Sequence, residues 1–249
     1  DNKKGKTSQS YRGVAPTPGL GVAFDWRLSR GHIEASRLLE GFTGLLQTDG
    51  YEAYNALAKG NEKVVHLGCW AHARRGFFEA RSDHPREAGL ILALIGRLYD
   101  FEERYRKQGL SPAERARKRK VDQPRILKWL KIAITISQNR CLSQSNLGKA
   151  CSYALARWES LCRYLHHGEA EIDNNLVENK IRPSAIGKKN WLFIGSPEAG
   201  ERTAIIYSML LTCGIHGVDP HAWLRDVLTR APKTPGIEEQ IKLLPYNWQ

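Results

Sequence analysis

A chain of 249 residues with 41% hydrophobic and 9% aromatic side chains can bury a core, which excludes an intrinsically disordered protein. Its longest apolar runs, such as residues 204–213, are too short and too interrupted to span a bilayer, and no signal segment opens it. The net charge of +12 favours a polyanionic partner such as nucleic acid, although a solvated basic surface explains it equally well.

Methionine and cysteine usage adds two expectations. Residue 1 is Asp and the single methionine is Met209, so we expect translation to start upstream of this sequence. The five cysteines are odd in number and scattered, which predicts reduced thiols in a cytoplasmic protein rather than a disulfide framework.

The first third of the chain predicts a mixed α/β layer. Residues 11–26 contain two strand-like pieces, and the second alternates Val22, Phe24 and Trp26 with smaller or polar residues. The full order is β-β-α-β-α-β-α. The later strands are predicted at 44–50 and 64–66, and the helices at 29–40, 51–58 and 70–81.

The sequence of residues 86–167 predicts an entirely helical segment. Residues 111–114 combine a serine cap, a proline in the first turn and a glutamate three residues on, which indicates a helix start. A second helix opens at Pro124, and a third carries one apolar stripe over 147–165 that places Trp158 in the core. Because α/β character resumes afterwards, we interpret this segment as an insertion.

The last third returns to mixed elements. Asp173 can cap a helix that ends near Arg182, because Pro183 restricts its continuation. An extended piece at 191–194 and helices at 201–215 and 220–229 follow, and the proline-rich tail after Ala231 predicts irregular chain.

Positive charge is concentrated in the helical segment. Between Arg97 and Lys131 there are twelve Lys or Arg against five Asp or Glu, a net of +7. We predict that this cluster binds phosphate with release of counterions, and a solvated helical face is the alternative. The centre of the cluster is formed by Arg115, Arg117, Lys118, Arg119 and Lys120.

Two acidic residues stand at positions suited to chemistry. Asp49 ends a predicted strand just before Gly50, at the edge where open α/β sheets form their sites. Glu178 lies in a predicted helix among polar residues and shares a face with Arg182. On the residues alone, a surface ion pair at Glu178 and an ordinary strand-end aspartate at Asp49 remain the alternative.

Four stretches give the sequence a specific likeness, which runs from about Gly5 to Trp248. They are Leu46 to Asn55, Cys69 to Phe78, Asp173 to Pro183 continued by Gly187 to Phe193, and Gly217 to Pro220. In this order they resemble the transposases of the insertion sequence 66 family, members of the Asp-Asp-Glu superfamily.

The resemblance implies an α/β fold of the RNase H-like type, a mixed sheet flanked by helices and interrupted by an all-helical insertion. The implied domains are a first core part at 1–85, a basic insertion at 86–168, a second core part at 169–230 and a tail at 231–249. In the family the first catalytic aspartate lies in an Asp-Glu-Thr stretch upstream of the segment matching Gly5. This sequence contains no such stretch, so we expect that strand to precede residue 1.

The resemblance also implies an activity, the cleavage of transposon ends and their transfer into target DNA. It makes Asp49 the second and Glu178 the third carboxylate, both as ligands of Mg²⁺ or Mn²⁺. Such reactions use two divalent ions about 3.5–4 Å apart, and Mg²⁺ prefers hard oxygen ligands. The implied partners are double-stranded DNA and further copies of the chain, at the nucleoid of a bacterial cytoplasm.

Other side chains are candidates for contact with DNA or metal. Lys188 and Lys189 are suited to the DNA backbone and Trp191 to base stacking, with simple surface charge as the alternative. Arg74 and Arg75 can reach phosphate, and Arg182 can either touch phosphate or orient Glu178. The spacing of His66, Cys69 and His72 is typical of metal ligands, but no fourth ligand fits, so a packed helix start is preferred over zinc.

Two further interpretations stay open. One is a truncated, inactive remnant that binds DNA through its basic insertion, and the full reading frame would decide it. The other is an RNase H-like nuclease or resolvase that cuts branched DNA without joining it, which a strand-transfer assay separates from a transposase.

Overall fold

The structure is a computed structural model that describes residues 10–14, 21–27, 39–49, 61–175 and 196–248. The chain divides into two compact units. We call residues 35–174 the central unit, and residues 1–34 with 175–249 the terminal unit. None of the helices in the described part combines the length and the apolar character that a membrane span requires.

The strands form two separate two-stranded sheets, one in each unit. β1 (Ser10–Val14) and β2 (Ala23–Arg27) are antiparallel and belong to the terminal unit. β3 (Gly44–Gln47) and β4 (Val64–Leu67) are parallel and belong to the central unit, with Gly44 opposite Val64 and Gln47 opposite Leu67.

The predicted RNase H-like mixed sheet is therefore wrong, since the described residues are mostly helical and no such sheet joins these strands. The edge of β2 that faces away from β1 shows why. The amides of Val22 and Phe24 donate to the hydroxyls of Thr212, at 3.2 Å, and Ser208, at 2.8 Å, on a helix. Because helix side chains take these amides, this edge of β2 does not extend into a larger sheet.

Helices make up most of the central unit. Two short 3₁₀ turns are also present. Ala80–Ser82 follows the helix that ends at Glu79, and Arg163–His166 follows the helix that ends at Cys162. The helices are α1 (Trp70–Glu79), α2 (Pro85–Lys107), α3 (Pro112–Asp122), α4 (Pro124–Arg140), α5 (Asn146–Ala156) and α6 (Trp158–Cys162).

The helix starts of this unit follow local sequence rules. Ser111 accepts a hydrogen bond from the amide of Glu114, and the Glu114 carboxylate accepts one from the amide of Ser111 at 2.9 Å. The predicted capping box is therefore confirmed, with Pro112 in the first turn. Pro124 opens α4 as expected.

The predicted third helix is broken. The apolar stripe continues from α5 into α6, but the helix ends at Ala156 and restarts at Trp158. Trp158 is half-buried and meets the fully buried Trp70 edge to face, with ring centroids 5.9 Å apart. The core of the unit is built from α1, α2, α4 and α5, with the fully buried side chains Trp70, Phe77, Ile91, Ile95, Leu98, Leu130, Ile134 and Leu147 at its centre.

In the terminal unit, a long helix packs against β2. That helix is α7 (Pro197–His216), and Gly200 on it lies against Trp26. A Cβ atom at Gly200 would stand 2.2 Å from Cε2 of Trp26, so the close approach of strand and helix requires glycine here. Trp26, Phe24 and Val22 form the small core of this unit with Ala204.

Two shorter helices follow α7. They are α8 (Pro220–Arg230), capped by Asp219, and α9 (Ile237–Lys242), which lies in the tail predicted to be irregular. The indole of Trp223 donates to the carbonyl of Leu243 at 2.8 Å and fastens the tail to α8. All five cysteines of the chain are free, as the sequence predicted.

Candidate active site at the carboxyl edge of the parallel strands

Asp49 lies at the carboxyl end of β3, two residues after the strand ends. The last backbone bond between the strands joins the amide of Thr48 to the carbonyl of Leu67 at 3.1 Å, so the chain leaves the sheet at Asp49. The residue is exposed, and its backbone carbonyl accepts a hydrogen bond from the Tyr153 hydroxyl at 2.8 Å. The structure thus presents an accessible carboxylate beside the end of β4.

Thr48, the residue before Asp49, is held by a buried contact within the central unit. Thr48 and His66 are both 6% exposed, and the Thr48 hydroxyl lies 2.8 Å from Nε2 of His66. Burial lowers the pKa of His66, and the nearby charges of Arg163 and Arg157 lower it further. His66 is therefore neutral at pH 7 and is available to Thr48 rather than to solvent.

This shift makes stability depend on pH. The unfolded chain binds a proton at His66 near pH 6.5 while the folded chain does not, so we expect the free energy of unfolding to fall as pH drops below 6.5. The loss is at most about 1.4 kcal/mol per pH unit for one proton. Urea unfolding between pH 7.5 and 5.5 measures it.

His66→Gln removes this proton-binding group and should flatten the pH dependence by that amount. His221→Gln is the matched control, because His221 is exposed on α8. An equal slope in the parent and in His66→Gln would contradict the assignment.

A second group of contacts fixes residues 171–174, which we call the entry segment because the chain runs on from it to Glu178. The Gln47 amide donates to the carbonyl of Glu171 at 2.9 Å, and the amide of Trp70 donates to the carbonyl of Ile172 at 3.2 Å. The Tyr99 hydroxyl donates to the carboxylate of Asp173 at 2.7 Å. The entry segment is thereby attached to the end of β3, to the start of α1 and to α2.

Cys69 belongs to the same edge, and its thiol is in contact with Asn174 and His72. Its thiol donates to Oδ1 of Asn174 at 2.8 Å, and Nδ1 of His72 lies 3.3 Å from its sulfur. Burial raises the pKa of the Cys69 thiol to about 11, so the proton stays on sulfur at neutral pH. Among the described residues no three His, Cys, Asp or Glu side chains converge as a metal site would require.

Tyr153 also belongs to this edge, because its hydroxyl donates to the backbone carbonyl of Asp49. Burial raises the pKa of Tyr153 to about 12, and the charge of Arg157 opposes the rise. Tyr153 therefore keeps its proton and remains a hydrogen-bond donor. The carboxyl edge thus gathers Asp49, Cys69 and the entry segment within the central unit.

The predicted basic cluster is divided between two faces of α3. Arg119 is fully buried, and its five N–H groups donate to both carboxylate oxygens of Glu102 and to the carbonyls of Tyr164, His167 and Ala170. Arg115 is largely buried and bonds the Glu171 carboxylate at 2.8 Å. Both arginines hold the chain that leads into the entry segment, and Arg119 has no donor left for phosphate.

The remaining candidates differ in where they lie. Arg117, Lys118 and Lys120 on α3, and Arg74 and Arg75 on α1, are exposed. We define the three residues of α3 as the outer basic face. The candidates outside the described residues are Glu178, Arg182, Lys188, Lys189 and Trp191.

The sequence did not reveal several residues of this edge. Tyr153 and Asp49 are 104 positions apart, and Tyr99 and Asp173 are 74 apart, so no local pattern joins either pair. A tyrosine beside a predicted apolar stripe, as Tyr153 is within residues 147–165, was the one available signal, because a buried hydroxyl needs a partner.

Comparison with known proteins decides the family. Residues 1–202 match the family model described as "Transposase IS66 family", and residues 208–246 match "IS66 C-terminal element". The chain belongs to the IS66 transposase family. No solved structure matches this family member.

Relatives of this IS66 family member occur in Sinorhizobium fredii (strain NBRC 101917 / NGR234). The uncharacterized protein y4jD is 36% identical over 96% of this chain and 47% of its own length. The uncharacterized proteins y4qI and y4hP are 36% and 31% identical over 98% and 96% of this chain, and over 46% and 45% of their own lengths. The chain thus spans about half the length of the curated relatives it matches.

Proposed function

We propose that this chain is the catalytic part of a transposase that cleaves transposon ends and transfers them into target DNA. The observation that carries the proposal is the exposed Asp49 at the carboxyl end of β3, within a chain that belongs to the IS66 transposase family. The family resemblance assigns the second carboxylate to Asp49, and its exposed position after β3 supports the proposal. Phosphodiester chemistry needs carboxylates that solvent and DNA can reach, and Asp49 meets that condition.

On the family resemblance, Glu178 is proposed as the third carboxylate of this activity, with Asp49 as the second. Glu178 lies outside the described residues, so its role rests on the motif from Asp173 to Pro183 that carries the resemblance.

The donor chemistry of Asp49 fits Mg²⁺ or Mn²⁺. Asp49 supplies hard carboxylate oxygen, the ligand type that these ions prefer. Asp49 and Glu178 would hold the divalent ions. When bound, the ions supply activation of the attacking oxygen and neutralisation of the leaving oxygen.

The same proposal assigns the exposed cations to double-stranded DNA. The outer basic face and the Arg74–Arg75 pair are solvent-exposed, as phosphate contacts must be. Lys188 and Lys189 are proposed for the same role and Trp191 for stacking on a base, while Arg182 is proposed to touch phosphate or to orient Glu178. Holding two transposon ends at once calls for more than one copy of the chain on DNA.

Metal binding tests the proposal directly. We would measure Mn²⁺ and Mg²⁺ binding by calorimetry for this chain, for a version extended upstream in its reading frame, and for Asp49→Ala in each. We expect tight binding where all three carboxylates are present and its loss in Asp49→Ala. Asp100→Ala is the matched control, since Asp100 is exposed on α2.

Each result separates the interpretations. Equal binding by both versions that Asp49→Ala leaves unchanged would remove the proposed site and favour a DNA-binding remnant. Metal-dependent cutting of branched DNA without joining of ends would favour a nuclease or resolvase.

A further inference from the structure

Three consecutive residues at the end of β3 are each held by a side chain or a carbonyl from another segment. The Gln47 amide reaches the carbonyls of Gly68, at 3.3 Å, and Glu171, at 2.9 Å. Thr48 is bonded to His66. The backbone of Asp49 is bonded to the hydroxyl of Tyr153. The end of the strand is thus restrained residue by residue up to Asp49.

Tyr153 is suited to hold the backbone at this point. It comes from α5, a helix packed on α1 in the core of the central unit, so its position is set by rigid structure. The guanidinium of Arg157 lies over its ring, 4.3 Å from the centroid, which restricts the ring further.

We propose that Tyr153 is a positioning residue for Asp49, whose hydroxyl fixes the backbone of Asp49 where the chain leaves the sheet and so orients the carboxylate for a divalent cation. The hydrogen bond goes to the backbone carbonyl and does not use a carboxylate oxygen. The inference rests on the proposed function, since it assumes that Asp49 binds metal. Groups that orient a metal ligand typically change metal affinity by about 10- to 100-fold when removed.

Tyr153→Phe removes the hydroxyl and keeps the ring in place. We expect the dissociation constant for Mn²⁺, measured by calorimetry on the version of the chain that binds metal, to rise about tenfold. Tyr105→Phe is the matched control, because Tyr105 on α2 donates to Asp122 on α3 at 2.9 Å, a bond that involves neither β3 nor the entry segment. We expect Tyr105→Phe to stay within about twofold of the parent while unfolding at a similar urea concentration.

Thr48 provides a second, independent variant. Thr48→Val keeps the shape but removes the hydroxyl bonded to His66, whereas Thr48→Ser keeps the hydroxyl. We expect weaker Mn²⁺ binding in Thr48→Val and near-parent binding in Thr48→Ser. The urea midpoint is measured for both variants, and weaker Mn²⁺ binding in a Thr48→Val variant that is still folded indicates positioning rather than loss of structure.

The outcomes distinguish the positioning role of Tyr153 from the proposed function. If Asp49→Ala abolishes binding but Tyr153→Phe and Thr48→Val bind as the parent does, the positioning role is overturned and the proposed function stands. If Asp49→Ala leaves binding unchanged, both are overturned. Weaker binding in Tyr153→Phe with an unchanged Tyr105→Phe supports the positioning role.

Discussion

Replacing Arg119 with methionine is expected to lower the free energy of unfolding by about 3–5 kcal/mol. The substitution removes the 2.6 Å ion pair and leaves the carboxylate of Glu102 almost fully buried without its countercharge. It also removes the donors to the carbonyls of Tyr164, His167 and Ala170. Urea unfolding followed by circular dichroism measures the change.

Two comparisons make this prediction specific. The double substitution Arg119→Met with Glu102→Leu should recover much of the stability, because no buried charge remains unpaired. Lys107→Met breaks the exposed pair with Glu103 and should change the urea midpoint little, since solvent screens that pair. An Arg119→Met variant as stable as the parent would show that this ion pair does not hold α3 in place.

Removing the outer basic face is expected to weaken DNA binding by about 100- to 1,000-fold near 0.1 M salt, without loss of stability. The change is Arg117→Gln, Lys118→Gln and Lys120→Gln together. All three side chains are exposed, so their charge serves no internal pair of the kind that Arg115 and Arg119 make. The slope of log K against log salt should fall by about 3, because the proposed role has each of the three cations neutralise one phosphate.

A matched triple variant controls for net charge. Arg225→Gln, Arg230→Gln and Lys233→Gln remove the same charge from exposed positions of the terminal unit. Fluorescence anisotropy with a double-stranded DNA probe across a salt series compares the two. Equal weakening in both variants would mean that DNA responds to total charge alone, and the outer basic face would no longer have its assigned role.

Those residues of the candidate site that lie in a local sequence pattern or in a family motif could be predicted from the sequence. Asp49 was placed at the end of a strand from its neighbours, and the structure has it there. The division of the basic cluster was not predictable. Helical spacing puts Arg115 and Arg119 on one face of α3, but which face turns inward depends on Glu102, 17 residues away. From the sequence alone, all five cations of the cluster were assigned the same role.

Local structure and family membership follow from the sequence of this protein without its tertiary fold. Serine and proline at residues 111 and 112 start a helix wherever the chain is placed, because a cap satisfies backbone amides within one turn. The pairing of the strands, in contrast, was settled by tertiary packing. Alternating Val22, Phe24 and Trp26 indicate an extended segment but carry no information about its partner. The hydroxyls of Ser208 and Thr212, more than 180 residues away, occupy the edge of β2 that a mixed sheet would have needed.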